Sequence, residues 1–304
     1  YNVVVGDEAG TAITTGDDNT AVGKSALTAN TTASNNVAIG KSSLLSNTTG
    51  ANNVAVGRSS LNVNTTGASN VAVGYQALDA NTTASNNTAV GTSALGVNQT
   101  GHSNVSIGES SLFSNTTGLE NTAVGRGALA SNATASYNTA VGRSALLNNT
   151  TAASNGAFGF KALLTNTTGA NNNAFGDSAL RANTTGSSNV AVGGNALDAN
   201  TTASNNTAVG YASLGSVVTS QFNTAVGHTA GGGITGGDNT CIGYSAGSYG
   251  TGTITSGGSN TIIGAYARVS SGGSSGELAI GRYVLGQGAG TATLGFNSNG
   301  ATIS

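Results

Sequence analysis

Proline, methionine and tryptophan are absent from this chain, and cysteine occurs once, at Cys241. A single cysteine excludes an internal disulfide framework. The lack of any methionine leads to the expectation of a processed or excised piece. Charged residues fill only 7% of the 304 positions, where an ordinary globular domain has about a quarter. With a net charge of -2, the chain lacks the basic footprint on which nucleic-acid binding depends, and no nucleic-acid partner is expected. No apolar run approaches the roughly 18 residues of a membrane span, so no membrane insertion is expected of this segment. Disorder fits poorly as well, because proline and high net charge are missing while apolar residues hold at 37% in a fixed pattern.

What the chain has instead is glycine, 48 residues of it, and one phrase repeated. The unit Asn-x-Ala-(Val/Ile)-Gly starts at Asn2, Asn19, Asn36 and onward to Asn223, fourteen starts at a spacing of seventeen. Starts at Asn239, Asn260, Glu277 and Thr291 follow with looser spacing, eighteen units in all. Three regions result: a cap-like coil over 1–18, a regular array over 19–222, and irregular coils over 223–304.

Eighteen copies of one unit report what the unit requires. Position 5 is Gly in every copy, from Gly6 to Gly295, which marks a corner or a close backbone approach. Position 4 is always apolar and position 3 is nearly always Ala, with Ser106 and Cys241 among the exceptions. Position 9 is Leu in twelve successive units, among them Leu27, Leu44, Leu61 and Leu78. Position 12 is Asn (Asn30, Asn47) and position 14 is Thr (Thr32, Thr49) in eleven successive units.

Seventeen residues are too few for a helical repeat, which needs about 33. Two short apolar pieces separated by Gly and by Asn/Thr/Ser turns describe instead one coil of an all-β solenoid. Successive coils then stack about 4.8 Å apart, with Leu as a core column and Asn and Thr as hydrogen-bonding ladders. Side chains alternate across a strand, yet positions 3 and 4 are both apolar. One face meets the chain's own coil; the other is expected to meet a second chain.

The strand "NVAIG" (Asn36–Gly40) and its copies resemble the head repeats of YadA-like trimeric autotransporter adhesins, which are typically fourteen residues long. The longer form "NTAVGxxALxxNTTGxxN" is similar to arrays in phage tail fibres and large bacterial surface proteins. The segment Gly276–Ser304 resembles the region ahead of a self-cleaving chaperone domain in such fibres. These resemblances imply a left-handed parallel β-roll, a homotrimeric rod, an extracellular location on a virion or cell surface, and adhesion to a host glycan or protein receptor.

Chemistry has little to work with. His102 and His228 are the only histidines, and neither recurs. The acids are scattered, so no catalytic residues and no enzyme activity are expected. The turns "GDDN" (Gly16–Asn19) and "GGDN" (Gly236–Asn239) hold oxygens of the kind calcium takes, but Asx turns account for them equally, and no cofactor is expected. Eleven Asn-x-Thr sequons track the coil and are read as ladder residues. The units at Gly10, Gly231 and Gly247, where Leu becomes Gly, suggest a different coil type near each end of the array.

Position 6 is the varied column. It carries Lys24, Lys41, Arg58, Tyr75, Arg126, Arg143, Phe160, Tyr211 and Tyr244, together with Glu109, Asp177, His228 and Arg282, and six of the nine basic residues fall in it. It therefore faces water, either as a solvated ridge or as a receptor-contact surface with Tyr75, Tyr211 and Tyr244 as stacking platforms. The expected function is a non-enzymatic adhesive fibre. The alternatives are a self-assembling extracellular filament subunit and, more remotely, an ice-binding or glycan-binding solenoid.

Overall fold

The computed structural model describes residues 1–295 and 301–302; the end of the Gly276–Ser304 segment lies partly outside them. The chain divides into two compact units, Tyr1–Ser154 and Asn155–Ser304. Each is a parallel β-solenoid with one three-residue strand per coil. Unit one runs from β1 (Val3–Val5) to β9 (Thr139–Val141), and unit two from β10 (Gly156–Phe158) to β18 (Ala292–Leu294). There is no α-helix among the described residues, hence none long and apolar enough to cross a membrane.

Within each unit every strand pairs with its successor in register, so that Val37 faces Val54 and Ala38 faces Ala55. The register survives where the spacing does not. Thr224 pairs with Thr240, and Thr240 with Thr261, because the surplus residues of the latter coil are taken up outside the strands, partly in a 3-10 turn at Gly250–Gly252. At the far end β18 pairs antiparallel with β19 (Ala301–Thr302).

Position 3 and the Leu column form the core. Ala21, Ala38 and Ala55 are fully buried, as are Leu27, Leu44, Leu61 and Leu78 and the eight later leucines of the column. Each of these leucines adopts a left-handed backbone, with φ of 54° at Leu27 and 52° at Leu129. That conformation is unfavourable for a side-chain-bearing residue, by about 1–3 kcal/mol, and burial of the Leu side chain offsets it. Leu129→Ala keeps the backbone demand and loses the burial, so it should lower stability by about 2–5 kcal/mol. Denaturant melts of the two proteins would measure the difference, and an unchanged midpoint would contradict it.

The coils that replace this Leu by Gly relieve the backbone and refill the core from elsewhere. Gly10 and Gly231 keep positive φ at 55° and 60°. A Cβ on Gly231 would come within 2.9 Å of Ile234 Cδ1, and one on Gly10 within 3.1 Å of Ile13 Cδ1. An isoleucine at position 12 has moved into the space of the missing leucine.

Two asparagine columns hold the opposite wall. Position 12 behaves as expected: Asn47 Nδ2 donates to Asn30 Oδ1 at 3.0 Å and to the Gly50 carbonyl at 2.9 Å. Position 1 forms a second ladder. Asn53 Oδ1 accepts from Asn70 N–H at 3.0 Å, and Asn70 Nδ2 donates to the Ala84 carbonyl at 2.9 Å. The position-12 asparagines from Asn30 and the position-1 asparagines from Asn19 are buried and bonded from coil to coil, as buried amides must be, while Asn2 at the first coil is exposed. The position-12 column ends at Asn200, whose Oδ1 has no hydrogen-bond partner, because Val217 occupies the next coil's place. Glu277 replaces Asn in the position-1 column, and its carboxylate accepts from the Ser270 N–H at 3.0 Å and from the Ser270 hydroxyl.

The threonine ladder lies one residue earlier than the spacing suggests. Thr32 and Thr49 are exposed. It is Thr31 and Thr48 whose hydroxyls donate along the column, to Thr48 O at 3.3 Å and Thr65 O at 3.0 Å. The solvated column is the more constant one, Thr in all eleven units, while the bonded column has Gln99 and Ala133 as exceptions, so constancy alone does not tell which column bonds.

Candidate functional site

The corner glycine turns the chain outward, and every predicted ridge residue is exposed: Lys24, Lys41, Arg58, Tyr75, Arg126 and Arg143 in unit one, and Phe160, Tyr211 and Tyr244 in unit two. Acids on the same column temper the basic half. Lys24 Nζ lies 3.0 Å from Asp7, and that hydrogen bond, with the nearby negative charge, raises the lysine pKa. Arg126 Nε lies 3.3 Å from Glu109, where a shallow pocket of about 300 Å³ forms between Glu109, Arg126, Arg143 and Leu147. The Arg58 guanidinium covers the Tyr75 ring at 5.7 Å.

In unit two the ridge becomes an aromatic file. Tyr211 stacks on His228 and His228 on Tyr244, each with ring centroids 5.2 Å apart. The file continues through Tyr266, edge-on to Tyr244 at 5.1 Å and stacked on Tyr283 at 4.7 Å. Tyr249 joins it from the side, 4.8 Å from Tyr266. Arg268 and Arg282 lie over the Tyr249 and Tyr283 rings. Burial, followed by the neighbouring phenols Tyr244 and Tyr283, pushes the Tyr266 hydroxyl pKa upward.

This arrangement changes the role expected of Tyr75, Tyr211 and Tyr244. Tyr75 has a ring face covered by Arg58, and Tyr211 and Tyr244 each turn one to His228, so these faces stack within the column and the rings present mainly edges and hydroxyls beyond it. His228 was already in the position-6 column by sequence; Tyr249, Tyr266 and Tyr283 were not singled out as members. Tyr266 and Tyr283 occupy position 7, and the signal that could have found them is their equal seventeen-residue spacing.

Beside the file lies a groove of about 640 Å³, lined by Asn195, Asp198, Ser216, Thr229, Ser248 and Thr253 among small residues. His228 Nδ1 is 3.3 Å from Thr229 Oγ1, which links file and groove.

The remaining candidates separate cleanly. His102 is exposed, with Nδ1 3.2 Å from Ser103 Oγ. Asp17 and Asp18 face the amino terminus of Tyr1 at 3.8 and 3.3 Å. Among the described residues no group of three or more His, Cys, Asp or Glu side chains is placed to hold a metal ion. Cys241 fills an Ala place in the core, and burial pushes its thiol up to about 12, which suppresses thiolate chemistry. The sequon asparagines from Asn30 to Asn200 are fully buried, which closes them to glycosylation in the folded chain.

Neither a family model, nor a curated protein, nor a solved structure matches this chain.

Proposed function

We propose that this chain is the subunit of a non-enzymatic, homotrimeric adhesive fibre, displayed outside the cell or on a virion. The observation that carries the reading is the outward column at position 4. Ile39, Ile107, Phe175, Val192, Val226 and Ile242 are each 38–41% exposed, and no polar residue interrupts the column in either unit. Phe158 and Phe175 stack in it at 4.6 Å. A continuous apolar seam of this kind marks an association surface, and further copies of the same repeating chain match its period. The β-roll resemblance supplies the number three. In this reading the ridge stays in water and carries recognition, and threefold display raises avidity without strong single contacts.

Native mass measurement should find three chains per particle. Ile107→Asp places a carboxylate in each copy of the seam and should release single chains; a wild-type protein that is already a stable monomer contradicts the trimer. Recognition is expected to concentrate in the aromatic file. A chain ending at Phe222 should keep its far-ultraviolet spectrum while losing most adhesion to target cells. Undiminished adhesion would move recognition to the basic half of the ridge.

A further inference from the structure

Position 10 carries bulk in most coils, including Leu45, Asn62, Phe113, Leu147 and Arg181. In the coils that start at Asn206 and Asn223 it is Gly215 and Gly232, followed by Ser216 and Gly233. The missing side chains open the 640 Å³ groove, a volume inside the range of about 300–1,000 Å³ typical of ligand clefts. Glycine is not required there by the backbone. Gly215 and Gly232 have no positive φ, and a Cβ on either would meet the carbonyl oxygen three residues earlier at 3.2 Å, a tight contact that asks for a shift of a few tenths of an ångström and not a new backbone. The space is therefore a property of the side chains chosen.

What lines that space is polar and of mixed hydrogen-bonding character. Asn195 supplies an amide, Asp198 a carboxylate, and Ser216, Thr229, Ser248 and Thr253 supply hydroxyls. No lysine or arginine is among the lining residues. Ser248 Oγ is buried with no hydrogen-bond partner, an open capacity at the groove wall of a kind that native structures seldom leave unused.

We propose that this groove binds a short, uncharged saccharide. Sugar hydroxyls both donate and accept, and so do the amide and hydroxyl groups present; Asp198 adds a strong acceptor. The single carboxylate, with no cation beside it in the lining, disfavours uronic or sulfated sugars through like-charge repulsion. One carboxylate is also far short of the six to eight oxygen ligands that calcium takes. The Tyr211–His228–Tyr244 file borders the groove through the contact between His228 and Thr229, giving a polar slot beside apolar ring edges. The proposal rests on the reading of this face as the recognition surface and gives it a ligand class.

The test titrates the intact protein with neutral hexasaccharides of glucose (α-1,4 and β-1,4) and of N-acetylglucosamine, and with hyaluronan and heparin hexasaccharides, by calorimetry. At least one neutral probe should bind, the two acidic probes should not, and Gly232→Val and Asp198→Ala should each weaken binding at least tenfold. Hydrogen exchange on the unsubstituted protein provides a readout independent of the variants' folding: the bound probe should protect amides within 195–253. The proposal is overturned if no neutral probe binds, if the acidic probes bind more tightly, or if neither substitution nor exchange locates the probe in the groove. Cell adhesion separates this failure from that of the recognition reading. Adhesion lost in Tyr266→Ala/Tyr283→Ala but kept in both groove variants leaves the face as recognition surface and removes the groove from it.

Discussion

Gly91→Ala is expected to prevent stable folding of the coils around it, and Gly91→Val to do so more severely. Gly91 has φ of 136°, a region that side-chain-bearing residues essentially do not enter. The site is also closed sterically. A Cβ there would lie 2.7 Å from both the carbonyl carbon and oxygen of Gly108 in the next coil, and 3.1 Å from the Glu109 nitrogen. All three are backbone atoms, so relief requires moving the stack and not a rotamer. Backbone strain of about 1–3 kcal/mol adds to that clash. The effect should exceed that of Leu129→Ala, and thermal melts of the two variants beside the parent would rank them. A Gly91→Ala protein that melts with the parent would mean that the coils tolerate separation at this corner.

The second large effect concerns charge. Asn70 sits fully buried in the position-1 ladder, where its Oδ1 accepts from Asn87 N–H at 3.0 Å and its Nδ2 donates to Asn53 Oδ1 and the Ala84 carbonyl. Asn70→Asp replaces the donor by an oxygen that faces two acceptors. Desolvation and those acceptors raise the new carboxyl's pKa, by as much as about 3–5 units for a fully buried group. At roughly 1.4 kcal/mol per unit, the ionised form is destabilised by about 4–7 kcal/mol. The folded state holds its proton more tightly than the unfolded one, so stability is retained below the unfolded value of about 3.9 and falls as pH rises toward the raised folded value. Urea melts from pH 4 to 8 should show the variant weakening steadily against the parent. A parallel pair of curves would place the carboxylate in water.

Periodicity made the architecture readable because each coil is packed against a near copy of itself, so core and ladder positions cannot drift. Gly91 and Leu129 stood out for that reason. Conformation within the coil was less visible. A leucine at φ near 50° runs against its own preference, and nothing in a side-chain pattern records a backbone angle that tertiary packing imposes. The exchange of Leu and Asn for Gly and Ile is present in the letters at Gly10/Ile13 and Gly231/Ile234 but has meaning only once the shared cavity is seen. Thr31 and Thr32 illustrate the same limit, since the column that repeats without exception is solvated and the less regular one beside it bonds. The aromatic file was hidden for a different reason. Tyr244 stands at position 6 and Tyr266 at position 7, so a reading by columns separates rings that the structure brings together.

The in-register stacking has a genetic corollary. Between Gly57 and Gly74 a segment of seventeen residues could be duplicated or deleted, and the core and ladder side chains would still meet neighbours of the same kind, Leu on Leu and Asn on Asn, while only varied columns such as position 6 would change partners. Recombination between such similar stretches of DNA would change the coil count in whole steps, at nearly constant stability per coil. A single-residue insertion within a strand would instead throw alternate side chains onto the wrong face, whereas the coil from Asn239 to Asn260 has absorbed additional residues outside its strand. Lineages carrying this chain should therefore differ in length by multiples of one coil, with odd-sized insertions confined to the turns.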